Sequence, residues 1–278
     1  MTAIVETAPA KINLALHVRR RRNDGYHELE TLFAFCRDGD VVTVERADTD
    51  SLTLTGPFAS VLAGESQDDN LVMRAARGFG ARFGVDDGHA ITLDKHLPVA
   101  SGIGGGSADA AATLRALARL HGVATDDPAL FALAAELGAD VPACLLGQTA
   151  RGEGKGDALQ PLEPLGERPV LLVNPGVGVS TAAVFGRWDG VDRGALGQGD
   201  VMTVAAAGRN DLEPPARVIA PQIDAVLALL TRSPGVELAR MSGSGATCFA
   251  IFGDAEARDA AAGAAREQGW WVLSTFLR

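Results

Sequence analysis

The stretch Pro98-Val99-Ala100-Ser101-Gly102-Ile103-Gly104-Gly105-Gly106-Ser107-Ala108-Asp109-Ala110-Ala111 decides how this chain is read. Four glycines, Gly102, Gly104, Gly105 and Gly106, stand just before residues 107–120, which have helical spacing. Leu114, Leu117 and Leu120 share a face there, and Gly122 can close the end. Glycine allows positive φ and close main-chain approach, so successive N–H groups can turn inward around an anion. The free N–H groups and positive dipole end of the following helix add to that attraction. The bland alternative is a flexible loop with Ser107 as an ordinary helix cap. Four glycines in five positions would then lose backbone entropy for no return, so the pattern favours a phosphate site. Neither familiar phosphate loop fits. A Walker A loop needs a lysine before its final hydroxyl residue, and Ser107 follows Gly106 directly. A Rossmann fingerprint needs a glycine where Ser107 stands and an acidic residue about 20 positions on. His121 and Gly122 occupy that region instead.

Outward from the loop, residues 10–18, 29–35, 41–46, 51–55 and 90–93 read as strands. Residues 70–83 read as a helix with Leu71, Ala75, Phe79 and Phe83 on one face. A shorter helix is expected over 128–137, opened by Pro128 and closed by Gly138. Residues 151–157, with three glycines and alternating charge, mark the expected boundary between two domains, 1–152 and 153–278. Beyond it, 170–173, 247–252 and 270–275 read as strands, 219–230 and 255–268 as helices, and 190–199 as a surface loop. Strands and helices mixed without strict alternation indicate an α+β protein in two lobes.

Composition bounds the partners. The 278 residues carry 25 Lys and Arg against 35 Asp and Glu, a net charge of −10 that disfavours nucleic acid or an anionic membrane surface. At 47% apolar and 22% charged residues the chain has material for a full core, and no apolar run reaches the ~18 residues of a membrane span. Ala8-Pro9-Ala10 imitates a signal cleavage site, but no basic segment precedes it and Glu6 interrupts the apolar stretch, so a cytoplasmic protein is expected. Cys36, Cys144 and Cys248 are odd in number and far apart, which reads as free buried thiols. The five histidines show no metal-binding spacing, so a transition metal held only by protein ligands is not expected and no metal-site residue is assigned.

Three segments together carry a resemblance. Pro9-Ala10-Lys11-Ile12-Asn13-Leu14-Ala15-Leu16, the loop 98–108 and Ser242-Gly243-Ser244-Gly245-Ala246-Thr247 resemble, in order and spacing, the three motifs of the GHMP kinase superfamily. Asp24-Gly25-Tyr26-His27-Glu28-Leu29, Leu137-Gly138-Ala139-Asp140-Val141-Pro142, Asn174-Pro175-Gly176 and Arg209-Asn210-Asp211-Leu212-Glu213 look like the branch that phosphorylates a cytidine diphosphate-linked methylerythritol. The resemblance covers almost the whole chain. It implies a ribosomal protein S5 domain 2-like N-terminal lobe and a ferredoxin-like C-terminal lobe, with ATP and substrate in the cleft between them. It implies transfer of the ATP γ-phosphate to the 2-hydroxyl of the erythritol unit, with Mg²⁺ bridging phosphate oxygens, in non-mevalonate isoprenoid synthesis. On this likeness Asp140 is the general base, and Lys11 steadies Asp140 and the developing charge. Pro98, Val99, Ala100, Ser101, Gly102, Ile103, Gly104, Gly105, Gly106, Ser107 and Ala108 would wrap the triphosphate. Asn13, Tyr26, His27 and Phe185 would line the cytidine pocket, and Ser244 and Gly245 would approach the substrate phosphates. The expected partner is this small molecule, with no nucleic acid or membrane, and the expected state is a monomer or weak homodimer.

Read singly, these residues leave plainer alternatives open. Lys11 and Asn13 share a strand face by period 2 and could line a merely wet edge. Asp140, two residues before Pro142, could be a helix cap. His27 could be a surface hydrogen-bonder, and Arg19-Arg20-Arg21-Arg22 a solvated strand end. Two positions depart from the family pattern, Ala108 where a small hydroxyl residue is expected and Asp109 where a neutral amide is expected. Ala108 leaves Ser107 as the loop's hydroxyl, and Asp109 would repel a nearby phosphate unless it points away. Another GHMP kinase, of the homoserine or mevalonate type, is the alternative within the class. A non-catalytic ligand sensor is the alternative outside it.

Overall fold

The computed structural model describes residues 3–64, 66 and 68–278. In chain order the elements are β1 (Ile4–Arg21), β2 (His27–Ala47), β3 (Ser51–Thr55), α1 (Ala59–Leu62), α2 (Leu71–Phe83), β4 (Gly88–Asp94), α3 (Gly105–His121), α4 (Pro128–Leu137) and α5 (Val141–Leu146). There follow β5 (Ala150–Gly154), β6 (Ala158–Pro161), β7 (Pro169–Asn174), α6 (Thr181–Gly186), α7 (Val201–Ala207), α8 (Glu213–Ile219), α9 (Gln222–Arg232), β8 (Val236–Met241), β9 (Cys248–Phe252), α10 (Ala255–Glu267) and β10 (Trp271–Phe276). They pack as two compact units that interleave in sequence. One unit takes the residues up to Ala10 with Asp38–Val99 and Gly104–Gly147; the other takes Lys11–Arg37, Ala100–Ile103 and Gln148–Arg278. Residues 153–278 therefore lie whole in one unit, while 1–152 contribute to both.

In the first unit the second half of β2 pairs antiparallel with β4, and β3 pairs parallel with β4. Helices α2, α3, α4 and α5 pack together. Small residues make the close packing of α3 possible: Ala108, Ala110, Ala111, Ala112, Ala116 and Ala118 are all buried on it. The caps follow the local code. Asn70 accepts from Val72 N at the start of α2, Asp127 accepts from Ala129 N at the start of α4, and α4 stops before Gly138 as its sequence indicates.

In the second unit β7, β9, β8 and β10 form an antiparallel sheet in the order β10-β7-β9-β8. With helices preceding β8 and following β9, this is the β-α-β-β-α-β arrangement expected of the C-terminal half. Ile223, Val226 and Leu230 of α9 and Ala261, Ala262 and Ala265 of α10 are buried in one core with Leu171, Val173, Ala250 and Phe252. The alternate strand residues Val170, Leu172, Phe249 and Ile251 are also buried, so both faces of this sheet are covered. The first half of β2 pairs with β5, and β5 with β6, in the same unit.

Four local expectations need correction. The strands expected at 29–35 and 41–46 are one continuous strand, β2. Arg37-Asp38-Gly39-Asp40 reads as a turn, yet a Cβ on Gly39 would lie 1.9 Å from Ala8 O, so the glycine permits close strand approach. Asp40 is fully buried for an ion pair described below. Helix α3 starts at Gly105, two residues before Ser107, because left-handed Gly104 (φ 67°) turns the chain into it. Residues 151–157 are no bare linker but most of the β5–β6 hairpin, turning through Gly154 and Gly156 at φ 70° and 94°. The helix expected over 219–230 is two, since α8 ends at Ile219 and α9 starts at Gln222 beyond Pro221. Among the described residues, no helix is long and apolar enough to cross a membrane.

Candidate active site

The second unit joins pieces of all three superfamily-like segments. Lys11 N donates to Ile103 O at 3.0 Å, Ser242 Oγ donates to Gly102 O at 3.0 Å, and Thr247 N donates to Ser101 O at 3.1 Å. Ser242 Oγ also accepts from Asn13 N at 3.2 Å. Gly102 is left-handed (φ 78°), and a Cβ there would lie 2.5 Å from Ser242 O and 2.7 Å from Gly245 N. Only glycine fits so close to a neighbouring main chain. Ala100 holds φ 51°, a strained conformation for a residue with a side chain, and its carbonyl accepts from Val179 N.

Lys11 does not sit on a wet face. Its side chain is 3% exposed, with Nζ 3.0 Å from Asn13 Oδ1 and 5.4 Å from the centre of the Phe33 ring. Asn13 Nδ2 donates to Thr31 Oγ1 at 2.8 Å, and Thr31 Oγ1 donates to Ala15 O at 2.7 Å. The amide orientation is fixed by this chain, which presents its oxygen to the ammonium.

Several motif residues prove to be supports. Asn210 Nδ2 donates to Met241 O and Gly243 O, each at 2.8 Å, which shapes the loop 242–247 from below. Asn174 Nδ2 donates to Thr247 Oγ1 at 2.9 Å, and Asn174 Oδ1 accepts from Gly176 N. Asp211 accepts from Val18 N and pairs with Arg209. The arginine run is likewise occupied. Arg19 pairs with Glu30 and Asp192, Arg22 with Asp24 and Glu28, and Arg21 donates to Gly186 O and Trp188 O.

The residues expected around a cytidine all lie in this unit. His27 has its ring 4.8 Å from Phe185 and 5.6 Å, edge to face, from Trp188. Phe185 thus packs on His27, and Tyr26 stands apart, 54% exposed, with Lys155 Nζ 4.9 Å from its ring centre. His27 Nε2 is buried without a hydrogen-bond partner among the described residues. Burial, and then the charge of Arg21, hold the His27 pKa below the ordinary value, so the ring is neutral at neutral pH. Ser244 Oγ lies 2.9 Å from Thr181 Oγ1, and a Cβ on Gly245 would meet Met241 Sδ at 2.7 Å.

In the first unit, Gly104 occupies the cap position of α3 and provides no side chain to it. The cap residue therefore gives no side-chain cap to the first-turn N–H groups of Gly105, Gly106 and Ser107, which suits an anion. Asp109 is 2% exposed and buried against Lys95, its Oδ2 2.8 Å from Nζ. Lys95 Nζ also donates to Asp40 Oδ2. Burial pushes the Asp109 carboxyl up to about 8; Lys95 opposes the shift and Asp40 adds to it. Burial alone would pull Lys95 down, but Asp109 and Asp40 outweigh it and hold its pKa above the ordinary lysine value. This trio went unread in the sequence. Lys95 and Asp40 lie 55 positions apart, and the only local signal was a lysine at a strand end.

Asp140, also in the first unit, is half-buried just before α5, with φ −86° and no capping hydrogen bond from its side chain to that helix. The plain capping alternative is not realised.

Comparison with known proteins completes the description. The family model for the GHMP kinases N terminal domain matches residues 70–148, and that for the GHMP kinases C terminal matches residues 193–269. The chain is 57% identical over 277 residues to a 4-diphosphocytidyl-2-C-methyl-D-erythritol kinase of Rhizorhabdus wittichii, covering 98% of this chain and 94% of that one. It is 53% identical to a kinase of the same name from Novosphingobium aromaticivorans, covering 98% and 92%. Among solved structures it is similar to a 4-(cytidine 5'-diphospho)-2C-methyl-D-erythritol kinase, with TM-score 0.79, 35% identity and 98% of both chains covered. A homoserine kinase from Cytophaga hutchinsonii, with TM-score 0.74 and 19% identity over 99% and 96% of the chains, shares the fold.

Proposed function

The chain belongs to the GHMP kinases, in their 4-diphosphocytidyl-2-C-methyl-D-erythritol kinase branch, and we propose from its geometry how its own residues carry the reaction. It is an ATP-dependent kinase that phosphorylates the 2-hydroxyl of 4-diphosphocytidyl-2-C-methyl-D-erythritol in isoprenoid precursor synthesis. The observation that carries the residue-level reading is the junction of the segments at 9–16, 98–108 and 242–247, with buried Lys11 beside it. Residues 1–152 and 153–278 are taken as the extents of the two family domains.

Phosphoryl transfer asks little covalent work of a protein and much positioning and charge stabilisation. The first-turn amides of Gly105, Gly106 and Ser107 and the loop from Pro98 to Ala108 hold the triphosphate. Lys11, fixed by Asn13, faces the negative charge that develops as the phosphoryl group moves. Asp140 takes the proton of the attacking hydroxyl. Ser244 and Gly245 approach the substrate diphosphate. Mg²⁺, when bound, neutralises phosphate charge. Among the described residues no three His, Cys, Asp or Glu side chains gather to hold an ion by themselves. A transfer assay with ATP against the cytidylylated erythritol, homoserine and mevalonate tests the assignment. Transfer to either of the latter two in preference to the first would defeat it.

Base recognition rests on Tyr26, His27 and Phe185. Stacking on an aromatic face is worth ~1–3 kcal/mol per base whatever its identity, whereas edge hydrogen bonds discriminate. Tyr26→Ala is expected to weaken binding of cytidine and uridine analogues alike, by roughly 5- to 150-fold. His27→Ala is expected mainly to erode the preference between them. Neutral His27 also sets a pH signature. Its pKa is depressed, so the ring stays neutral through neutral pH and protonates only as the pH falls below the ordinary histidine range. The KM for the cytidylylated substrate should be flat near pH 7 and rise in acid in wild type, but not in His27→Ala. Competition by cytidine and uridine diphosphates across pH measures both effects, and identical profiles in wild type and His27→Ala would remove the histidine from the pocket.

A further inference from the structure

Lys95 lies at the end of β4, one strand end away from the glycine loop, and nothing in the proposed chemistry uses it. It is one of the largest fully buried side chains, and its two partners are as deeply enclosed, Asp40 at 0% exposure and Asp109 at 2%. Three buried ionisable side chains are an expensive feature to keep, because burial opposes the charged form of such groups. The arrangement joins parts of the loop that are far apart in sequence. Asp40 Oδ1 accepts from the main-chain N–H groups of His96 and Leu97, which lead into the loop at Pro98. Asp40 Oδ2 accepts from Lys95, and Lys95 reaches on to Asp109 in the first turns of α3, where the loop ends. A Cβ on Gly105 would stand 3.1 Å from Lys95 Nζ and 3.9 Å from Asp40 Oδ2, so the ammonium fills the space directly behind the loop's exit. Asp109 Oδ1 is buried with no hydrogen-bond partner among the described residues, so Oδ2 and its bond to Lys95 carry the side chain's connection.

We infer that Lys95, clamped between Asp40 and Asp109, is a positioning residue for ATP. It ties the entry of the glycine loop at residues 95–97 to its exit at residues 105–109, and so sets the placement of the first-turn amides that receive the phosphates. The inference rests on the reading that residues 98–108 hold the triphosphate. Asp109 has its place in this device. It stands where the family pattern has a neutral amide, and it spends its carboxyl oxygen on Lys95 behind the loop. An amide could make the same contact through its carbonyl oxygen, whereas a methyl group could not.

The test compares Asp109→Ala with Asp109→Asn in the full chain, with KM measured separately for ATP and for the cytidylylated alcohol. Asp109→Ala frees α3 from Lys95 but leaves the Lys95–Asp40 pair intact. It is expected to raise the KM for ATP at least fivefold, with the KM for the alcohol and kcat at saturation within about twofold of wild type. Asp109→Asn, which keeps the acceptor, is expected to restore the KM for ATP. Amide hydrogen exchange in the nucleotide-free protein gives a readout independent of activity. Gly105, Gly106 and Ser107 should exchange faster in Asp109→Ala than in Asp109→Asn. If Asp109→Ala does not fold, Asp109→Ser, whose hydroxyl is too short to reach Lys95, takes its place in both measurements. An unchanged KM for ATP, or an equal rise in both KM values, overturns the clamp. Wild-type transfer that does not saturate with ATP instead overturns the reading of the loop itself, and the clamp's role with it.

Discussion

Asp140→Asn is expected to lower the rate of phosphoryl transfer by ~10²–10⁴-fold, the usual contribution of a general base, while ATP affinity stays near that of the parent enzyme. The substitution keeps the shape of the side chain and removes the anionic acceptor. It should leave the fold intact for a reason visible at the start of α5. Asp140 makes no capping hydrogen bond there, and Pro142 in the first turn already fixes the helix entry without it. A helix-cap loss typically costs ~0.5–2 kcal/mol, which would show as a lowered melting temperature with activity largely retained below it. A base loss gives the opposite pattern, a slow enzyme with an ordinary melting curve. Single-turnover transfer with ATP in excess, beside a thermal melt of the same preparation, separates the two. Near-normal transfer accompanied by a lowered melting temperature would return Asp140 to a structural role.

What could be read in advance divides along the range of the interactions. Helices α2 and α4 were legible to within a residue because Asn70, Asp127, Pro128 and Gly138 act within four positions of the ends they set. In the C-terminal half β7 and β9 were legible because they are nearly continuous apolar runs between turn residues, buried on both faces, whereas β8, with Glu237 and Arg240 among its residues, went unread and the arrangement as a whole came from the family resemblance. The course of β2 was not. Asp38-Gly39-Asp40 carries the signs of a turn, but Asp40 answers Lys95 and Gly39 answers Ala8, and neither partner is local. Lys11 shows the same limit at the site. Polar residues at alternate positions of a strand fit a wet edge until Thr31 and Ser242 are seen to enclose Asn13. The motifs around Asn174 and Asn210 marked the family, yet their work of holding the loop 242–247 appears only where residues far apart in the chain meet. Local code fixed element ends, and partners at long range decided where the polar residues inside those elements point.

The glycine loop is where a single added methyl group should do the most harm, and two positions should fail in different ways. At Gly102 the backbone is left-handed, and the nearest neighbours of a Cβ are all main chain: Ser242 O at 2.5 Å, Gly245 N at 2.7 Å and Gly245 O at 2.8 Å. No side chain can rotate aside. Gly102→Ala must therefore part residues 100–103 from the loop 242–247 and strain φ as well, at a cost of order 1–3 kcal/mol for the conformation alone. Both the segment assigned to ATP and the segment assigned to the substrate diphosphate then move. The expected result is a lowered melting temperature with KM raised about tenfold or more for both substrates. At Gly105 the backbone is helical and imposes no such strain. The obstacle is Lys95 Nζ at 3.1 Å, which is the far end of a side chain but one held on two carboxylates. Gly105→Val should therefore fold, displace the first turn of α3 from its phosphate-receiving position, and raise the KM for ATP more than tenfold while sparing the KM for the alcohol. Steady-state kinetics in both substrates on the two variants, each with a melt, distinguish the outcomes. Unaltered ATP affinity in a folded Gly105→Val enzyme would mean that the triphosphate is held elsewhere, because a branched side chain cannot enter the first turn of a working phosphate cradle unnoticed.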